Sequence, residues 1–115
     1  MIAEHERIQL QEAVLSHVAF WQERLGLRDW RIRHRWREDA ADSTGAAVTA
    51  QWEQMIADIT WNLAAMHETP EDIELYVVHE MVHVLLDELA PVEETKGEER
   101  VTAMLTAAFL RVAGK

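Results

Sequence analysis

The chain has 115 residues, 49% of them hydrophobic, and its 21 acidic residues against 11 lysines and arginines give a formal net charge of −10. This composition excludes a disordered chain, and the length predicts a single domain over residues 1–115. The acidic balance argues against nucleic acid or an anionic membrane as the main partner. Because there is no cysteine, disulfides and thiolate metal sites are excluded. No basic-then-apolar leader and no apolar run of membrane-spanning length are present, so we expect a cytoplasmic protein.

The first predicted element is a helix over residues 3–25, which Gly26 follows as the expected C-cap. Apolar residues recur in it at helical spacing and predict its buried face: Ile8, Leu15, Val18 and Leu25, with Val14 and Trp21 beside them.

A strand is predicted from Trp30 to Arg37, where the period changes to two. One face carries Trp30, Ile32, His34 and Trp36. The other face carries four arginines: Arg31, Arg33, Arg35 and Arg37. Arginines beside tryptophans could form a nucleic-acid platform. A basic stripe in an acidic domain is more typical of a solvent-exposed face whose positive charges are compensated by acidic residues elsewhere in the chain.

Two further strands are predicted after a polar turn over residues 38–45. They run from Ala46 to Trp52 and from Met55 to Leu63, with a short connection between them. The second strand alternates between apolar residues and mildly polar ones such as Asp58 and Thr60, a pattern that an edge strand can have.

A long buried helix is predicted next, with Thr69 as N-cap, Pro70 at its first position and Pro91 ending it. It is apolar nearly all round, and its main polar interruption is the sequence H-E-x-x-H at residues 79–83. Two histidines and a glutamate in an apolar helix are costly unless they are paired or bound.

The H-E-x-x-H spacing predicts a metal site. His79 and His83 are four residues apart, so on a helix they lie on one face and can bind one zinc ion. Glu80 follows the first histidine and can take a proton from a water that the ion has made acidic. This residue set is typical of metal-assisted hydrolysis.

The last predicted helix starts at Glu94 or Gly97 and ends at Val112. Its predicted buried face, flanked by Met104 and Phe109, consists of Val101, Leu105, Ala108 and Val112. At about 100° per residue, Glu98 lies roughly 40° from the centre of this face and Glu99 roughly 140° from it. Glu98 is therefore expected to face the motif helix, and Glu99 to point largely away from it. Glu94 would also face the motif helix if the last helix began early enough to include it.

This order of elements resembles the zincin metallopeptidases, and within them the gluzincin branch, in which a glutamate from the next helix is the third zinc ligand. The size is similar to that of minimal zincins and of small zincin-like proteins from bacteriophage and prophage genomes. The resemblance implies an α+β, zincin-like fold with an N-terminal helix, a three-stranded sheet, the H-E-x-x-H helix and a C-terminal helix. It also implies zinc bound by His79, His83 and Glu98, with Glu80 as the general base.

The resemblance further implies a peptide or protein substrate that pairs with an edge strand, here Met55–Leu63. For the group that stabilises the oxyanion, Tyr76, His67 and His34 remain alternatives. We therefore predict a zinc metallopeptidase. The alternative functions are a zinc-stabilised phage structural or interaction module without catalysis, and a nucleic-acid-binding module that uses the arginine strand.

Overall fold

The computed structural model describes residues 2–89 and 98–114, except the side chains of Leu89 and Glu98. Within these residues the chain folds into four helices and one three-stranded sheet, so the α+β class is confirmed. In chain order the elements are α1 (Glu4–Arg24), β1 (Arg31–Arg37), β2 (Ala46–Gln51), β3 (Ile56–Asn62), α2 (Leu63–Glu68), a 3-10 turn (Pro70–Asp72), α3 (Ile73–Leu89) and α4 (Glu98–Val112).

The sheet has the strand order β1-β3-β2, so β3 is its central strand. It runs parallel to β1, with Arg31 opposite Ile56, and antiparallel to β2, with Ala46 opposite Trp61. The prediction that Met55–Leu63 is an edge strand is therefore wrong. Its mild polar residues lie on the solvent face of a sheet covered by helices on the other side, and alternation reports the two faces of a strand but not its neighbours.

Helix α1 ends as the sequence predicts, because Gly26 has a φ of 72° and the amide of Leu27 donates to the carbonyl of Gln22. Its buried face is only partly the predicted one. Leu10, Val14, Val18 and Trp21 are buried. Ile8 and Leu15 are instead 45% and 43% exposed, since the helix turns a neighbouring stripe toward the core.

The chain between β3 and α3 differs from the prediction. Residues Leu63–Glu68 form the short helix α2, which follows the strand directly; Asn62 is at its N-cap position but makes no side-chain capping bond. Thr69 makes no capping bond; its hydroxyl donates to the carbonyl of Ala65 instead. Pro70 begins the 3-10 turn, after which α3 starts. Pro91, the predicted end of that helix, lies outside the described residues.

Helix α3 is the centre of the fold, as predicted, and it packs against α1, β2 and α4. Its core-facing residues are buried: Val77, Val78, Met81, Val82 and Val84. Two indole groups hold its ends. Trp21 Nε1 donates to Glu74 Oε2 at 2.8 Å, and Trp30 Nε1 donates to Glu88 Oε2 at 3.0 Å. Glu74 and Glu88 are four turns apart on one side of α3, so these bonds fix its rotation about its own axis.

Helix α4 packs on α3 with a different face from the one predicted. Thr102 and Thr106 are buried, whereas Val101 and Val112 of the predicted face are 44% and 85% exposed. The helix is thus turned by about one residue, or about 100°, from the expected orientation. Glu94 and Gly97, the predicted starts of this helix, lie outside the described residues.

None of the helices within residues 2–89 and 98–114 has both the length and the apolar character needed to cross a bilayer.

Candidate metal centre

The two motif histidines meet one carboxylate from α4. His83 Nε2 lies 2.6 Å from Glu99 Oε1, and His79 Nε2 lies 3.4 Å from Glu99 Oε2. The two imidazole rings are 5.0 Å apart between centroids and nearly perpendicular, at 72°. Three side chains from two helices therefore converge on one point at the α3–α4 interface.

The position of the histidines follows from α3 itself. The helix places residues 79 and 83 one turn apart on a single face, next to its buried stripe. His83 is 13% exposed and His79 30%, so both rings are partly withdrawn from water. The prediction that these two side chains come together is confirmed.

The carboxylate that contacts the histidines is the one that the sequence predicted to point away from them. Glu99 was expected to point away, but the face of α4 that packs on α3 contains Thr102 and Thr106, and Glu99 precedes these residues by one and two turns. Glu99 therefore shares their face and reaches both histidines. The side chain of Glu98, the predicted third ligand, and all of Glu94 lie outside the described residues.

Glu80 lies beneath this centre. It is only 5% exposed, and its Oε2 atom has no hydrogen-bond partner in the described part of the chain. Burial raises the pKa of Glu80 to about 7; the nearby Glu99 carboxylate adds to this increase and His83 opposes it. Burial also lowers the pKa of His79, as does His83, against the opposing effect of Glu99.

The donor set fits a zinc ion. Zinc bonds to nitrogen and oxygen are about 2.0–2.2 Å, which places tetrahedral ligands roughly 3.3 Å from one another. The 3.4 Å between His79 and Glu99 matches that separation, whereas the 2.6 Å between His83 and Glu99 must widen by several tenths of an ångström. Donor atoms of His79, Glu80 and His83 also lie within 4.8 Å of one another, so two carboxylates stand near the histidines. Of these two carboxylates, Glu99 is the one with an oxygen at 2.6 Å from His83 Nε2 and the other at 3.4 Å from His79 Nε2.

The centre lies in a cleft of about 740 Å³ that runs along α3. One wall is β2, which contributes Ala46, Ala47, Val48 and Ala50. The opposite wall is α4, which contributes Ala103, Thr106 and Ala107. Small side chains on both walls leave the cleft open above Glu80.

The β2 wall is an open sheet edge. The amide of Asn62 donates to the carbonyl of Gly45, so in this antiparallel pair the main-chain groups of Gly45 and Ala47 face β3. Those of the alternate residues, Ala46, Val48 and Ala50, face away from β3, and all three residues line the cleft. The sequence did not reveal this edge, because strand neighbours are not encoded in local alternation.

The buried Asn62 side chain binds the loop that leads into β2. Asn62 Oδ1 accepts from the amide of Asp39, and Nδ2 donates to the carbonyls of Asp39, Asp42 and Thr44 at 2.9–3.1 Å. This network fixes the loop over residues 38–45 against the end of β3. The single asparagine at the end of a strand gave no recognisable motif for this role.

Gly45 is the last residue of that loop and packs on the Tyr76 ring at one end of the cleft. A Cβ atom at residue 45 would lie 2.8–2.9 Å from three ring carbons, closer than carbon atoms approach without a shift. Tyr76 Oη is 2.8 Å from Thr69 Oγ1. Because the Thr69 hydroxyl donates to Ala65, Tyr76 is the donor in this pair.

Of the three alternatives for an oxyanion-stabilising group, only Tyr76 lines the cleft. His67 contacts Glu6 at 3.0 Å. His34 accepts a hydrogen bond from Trp61 Nε1 and stacks on Trp36, and burial lowers its pKa. The Tyr76 proton is directed to Thr69 in this structure, so Tyr76 would have to exchange that bond to donate to a substrate.

Comparisons with protein-family models, with curated proteins and with solved structures give no significant match to this chain.

Proposed function

We propose that the chain is a zinc-dependent metallopeptidase with a zincin-like arrangement, in which His79, His83 and Glu99 bind the ion. The observation that carries the proposal is the Glu99 carboxylate, whose two oxygens lie 2.6 Å and 3.4 Å from the Nε2 atoms of the two histidines. A nitrogen, nitrogen and oxygen set with an open side is typical of catalytic zinc sites rather than structural ones.

A zinc ion bound there supplies a Lewis acid and an acidified water. Glu80 lines the cleft with an unpaired, buried oxygen, so it is positioned to take a proton and to return it to the leaving amine. Glu80 is only 5% exposed, and this burial keeps the proton affinity of its carboxylate high.

The substrate is proposed to be an extended peptide paired with β2, in place of the strand Met55–Leu63 that the sequence suggested. The outward main-chain groups of Ala46, Val48 and Ala50 offer hydrogen bonds to a peptide strand in the cleft. The centre lies alongside this edge, so a peptide carbonyl bound there would lie near Glu80.

The test compares Glu80→Gln with His79→Ala in zinc content and in hydrolysis of an unfolded protein substrate. We expect Glu80→Gln to retain one zinc ion per chain but to lose hydrolysis, because the amide keeps the shape and lacks the base. We expect His79→Ala to lose both. Full activity in Glu80→Gln would contradict the proposed mechanism, and loss of zinc there would make Glu80 a ligand.

The third ligand is tested by Glu99→Ala beside Glu98→Ala. We expect Glu99→Ala to weaken zinc binding by about tenfold or more and Glu98→Ala to have a much smaller effect. Competition with a fluorescent zinc chelator measures both affinities. The reverse ranking would assign the ligand to Glu98.

A non-catalytic, metal-stabilised module is the second candidate, and one observation favours it. Glu99 joins α4 to α3 beside an interface that buries Thr102 and Thr106 and only partly buries the apolar residues of α4, so an ion there would hold the helices together. For such a module zinc should raise the melting temperature equally in the wild type and in Glu80→Gln, and neither should hydrolyse peptides.

A further inference from the structure

The outer faces of α1 and α4 both expose apolar side chains, away from the cleft and its centre. On α1, Ile8 and Leu15 are 45% and 43% exposed. They are seven residues apart, so they lie within about 20° of each other around the helix and form one stripe. A stripe of this kind on a helix surface is typical of a contact with another protein surface.

Helix α4 has a larger stripe of the same kind. Val101, Met104 and Val112 are 44%, 61% and 85% exposed. Around the helix they lie about 100–180° from the midpoint of the buried Thr102 and Thr106. Methionine adapts its shape to a partner and is common at interfaces. Both stripes are exposed in the same chain, so neither covers the other within one copy.

The charges beside the two stripes are opposite in sign. On α1 the exposed Glu4 and Glu12 each lie about 40° from Ile8. On α4 the exposed Arg100 and Arg111 lie about 20° from each other, at the border of the stripe next to Met104. None of these four residues forms an ion pair within residues 2–89 and 98–114.

We propose that α1 of one copy docks on α4 of a second copy of this chain. The acidic borders of the α1 stripe then meet the basic border of the α4 stripe, and both apolar stripes leave water. Such a contact joins two different surfaces, so it produces either a closed ring or an extending chain. The net charge of −10 opposes association, so the contact is favoured at moderate ionic strength, where long-range repulsion is screened.

Sedimentation velocity of the full chain over a concentration series at moderate salt tests the proposal. We expect the wild type to associate as its concentration rises and Met104→Glu to weaken that association about tenfold or more. Trp52→Glu is the matched control: Trp52 is 42% exposed in the connection after β2, outside both stripes, so its replacement should leave association unchanged. Circular dichroism establishes that each variant is folded.

Charge exchange then identifies the pairing. Glu12→Arg and Arg111→Glu should each weaken self-association, and an equimolar mixture of the two variants should associate again through the restored pair. A wild type that stays monomeric throughout the series would overturn the proposal, and so would association that survives Met104→Glu. Failure of the mixture to associate would overturn the assignment of α1 to α4.

Discussion

The two edges of the sheet differ in charge and in surroundings. Within the described residues, both present main-chain groups that no strand pairs with. On β2 these belong to the alternate residues described above. On β1 they belong to Ile32, His34 and Trp36, since the Arg31 amide donates to the carbonyl of Met55, directly before β3. Four of the seven residues in β1 are arginines, whereas β2 contains no charged residue. One edge is thus shielded by charge, and the other lies open in a cleft beside the candidate metal centre.

Under the proposed function, the uncharged β2 edge pairs with a peptide strand and the charged β1 edge does not. Charged side chains on an edge strand discourage pairing with other chains, and an uncharged edge permits it. Two of the arginines also form ion pairs within the chain. Arg33 forms a two-point pair with Asp58 at 2.6 and 2.8 Å, and Arg37 contacts Asp42 at 2.6 Å. Half of the basic stripe is therefore neutralised by the chain itself, which weakens the case for a nucleic-acid platform.

The sharpest way to separate the two sides of β2 is a pair of proline substitutions. Ala47→Pro removes an amide that faces β3, so it should destabilise the fold by about 3 kcal/mol or more. Ala46→Pro removes an amide that faces the cleft, so it should cost much less stability but slow peptide hydrolysis about tenfold, the effect of one lost hydrogen bond. Urea denaturation and initial rates measure the two effects. Equal destabilisation by both prolines would mean that the register assigned to β2 is wrong.

The start of β2 is tested by Gly45→Ala. The added methyl group would meet the Tyr76 ring at about 2.8 Å, so the strand or the ring must shift, at a cost of about 1–3 kcal/mol. Thermal unfolding measures this cost. In the double variant with Tyr76→Ala the penalty of the extra methyl group should vanish, and its persistence there would place the clash elsewhere.

The shielding of β1 is tested by replacing Arg31, Arg33 and Arg35 together with threonine. We expect the stability to change by only about 1 kcal/mol, since the Arg33–Asp58 pair is largely solvent-exposed. Aggregation on prolonged incubation, followed by light scattering, should increase because the edge is no longer charged. Unchanged solubility would show that something other than the arginines protects this edge.

The smallest expected effect concerns the loop that joins β1 to β2. Hydrogen bonds from Arg37 and from the Thr44 amide lower the pKa of Asp42 to about 2, below the usual value near 3.9. Its contribution to stability is therefore present above about pH 4 and is lost as the pH falls toward 2. The free energy of unfolding of Asp42→Asn should accordingly depend less on pH than that of the wild type between these limits. Parallel pH profiles would show that the Asp42 carboxylate adds nothing.

The central helix and its motif could be predicted because both are encoded in the local sequence. An apolar run from Ile73 onward defined a buried helix, and the H-E-x-x-H spacing alone placed two histidines on one face. Helix α4 could not be oriented in this way, since its threonines and alanines fit a buried face as well as its valines do. The choice between Glu98 and Glu99 depended on that orientation.

The position of β3 within the sheet could not be predicted from its local sequence pattern, for another reason. Alternation along Ile56–Asn62 shows that one face is buried, but its two neighbours come from segments before it in the chain. Helix α2 was missed because Leu63–Glu68 continues directly from the strand with no glycine or proline between them. The N-cap residue, Asn62, makes no side-chain capping bond and binds the loop over residues 38–45 instead.

The indole bonds at the two ends of α3 have a consequence for ion binding. Trp21 and Trp30 hold Glu74 and Glu88, so both histidines are already oriented before any ion arrives, and little conformational freedom remains for α3 to lose. The proposed third donor, Glu99, comes from α4, which has no such anchors among the bonds described. Differences in metal affinity between related chains should therefore arise from substitutions in α4, while α3 tolerates little change.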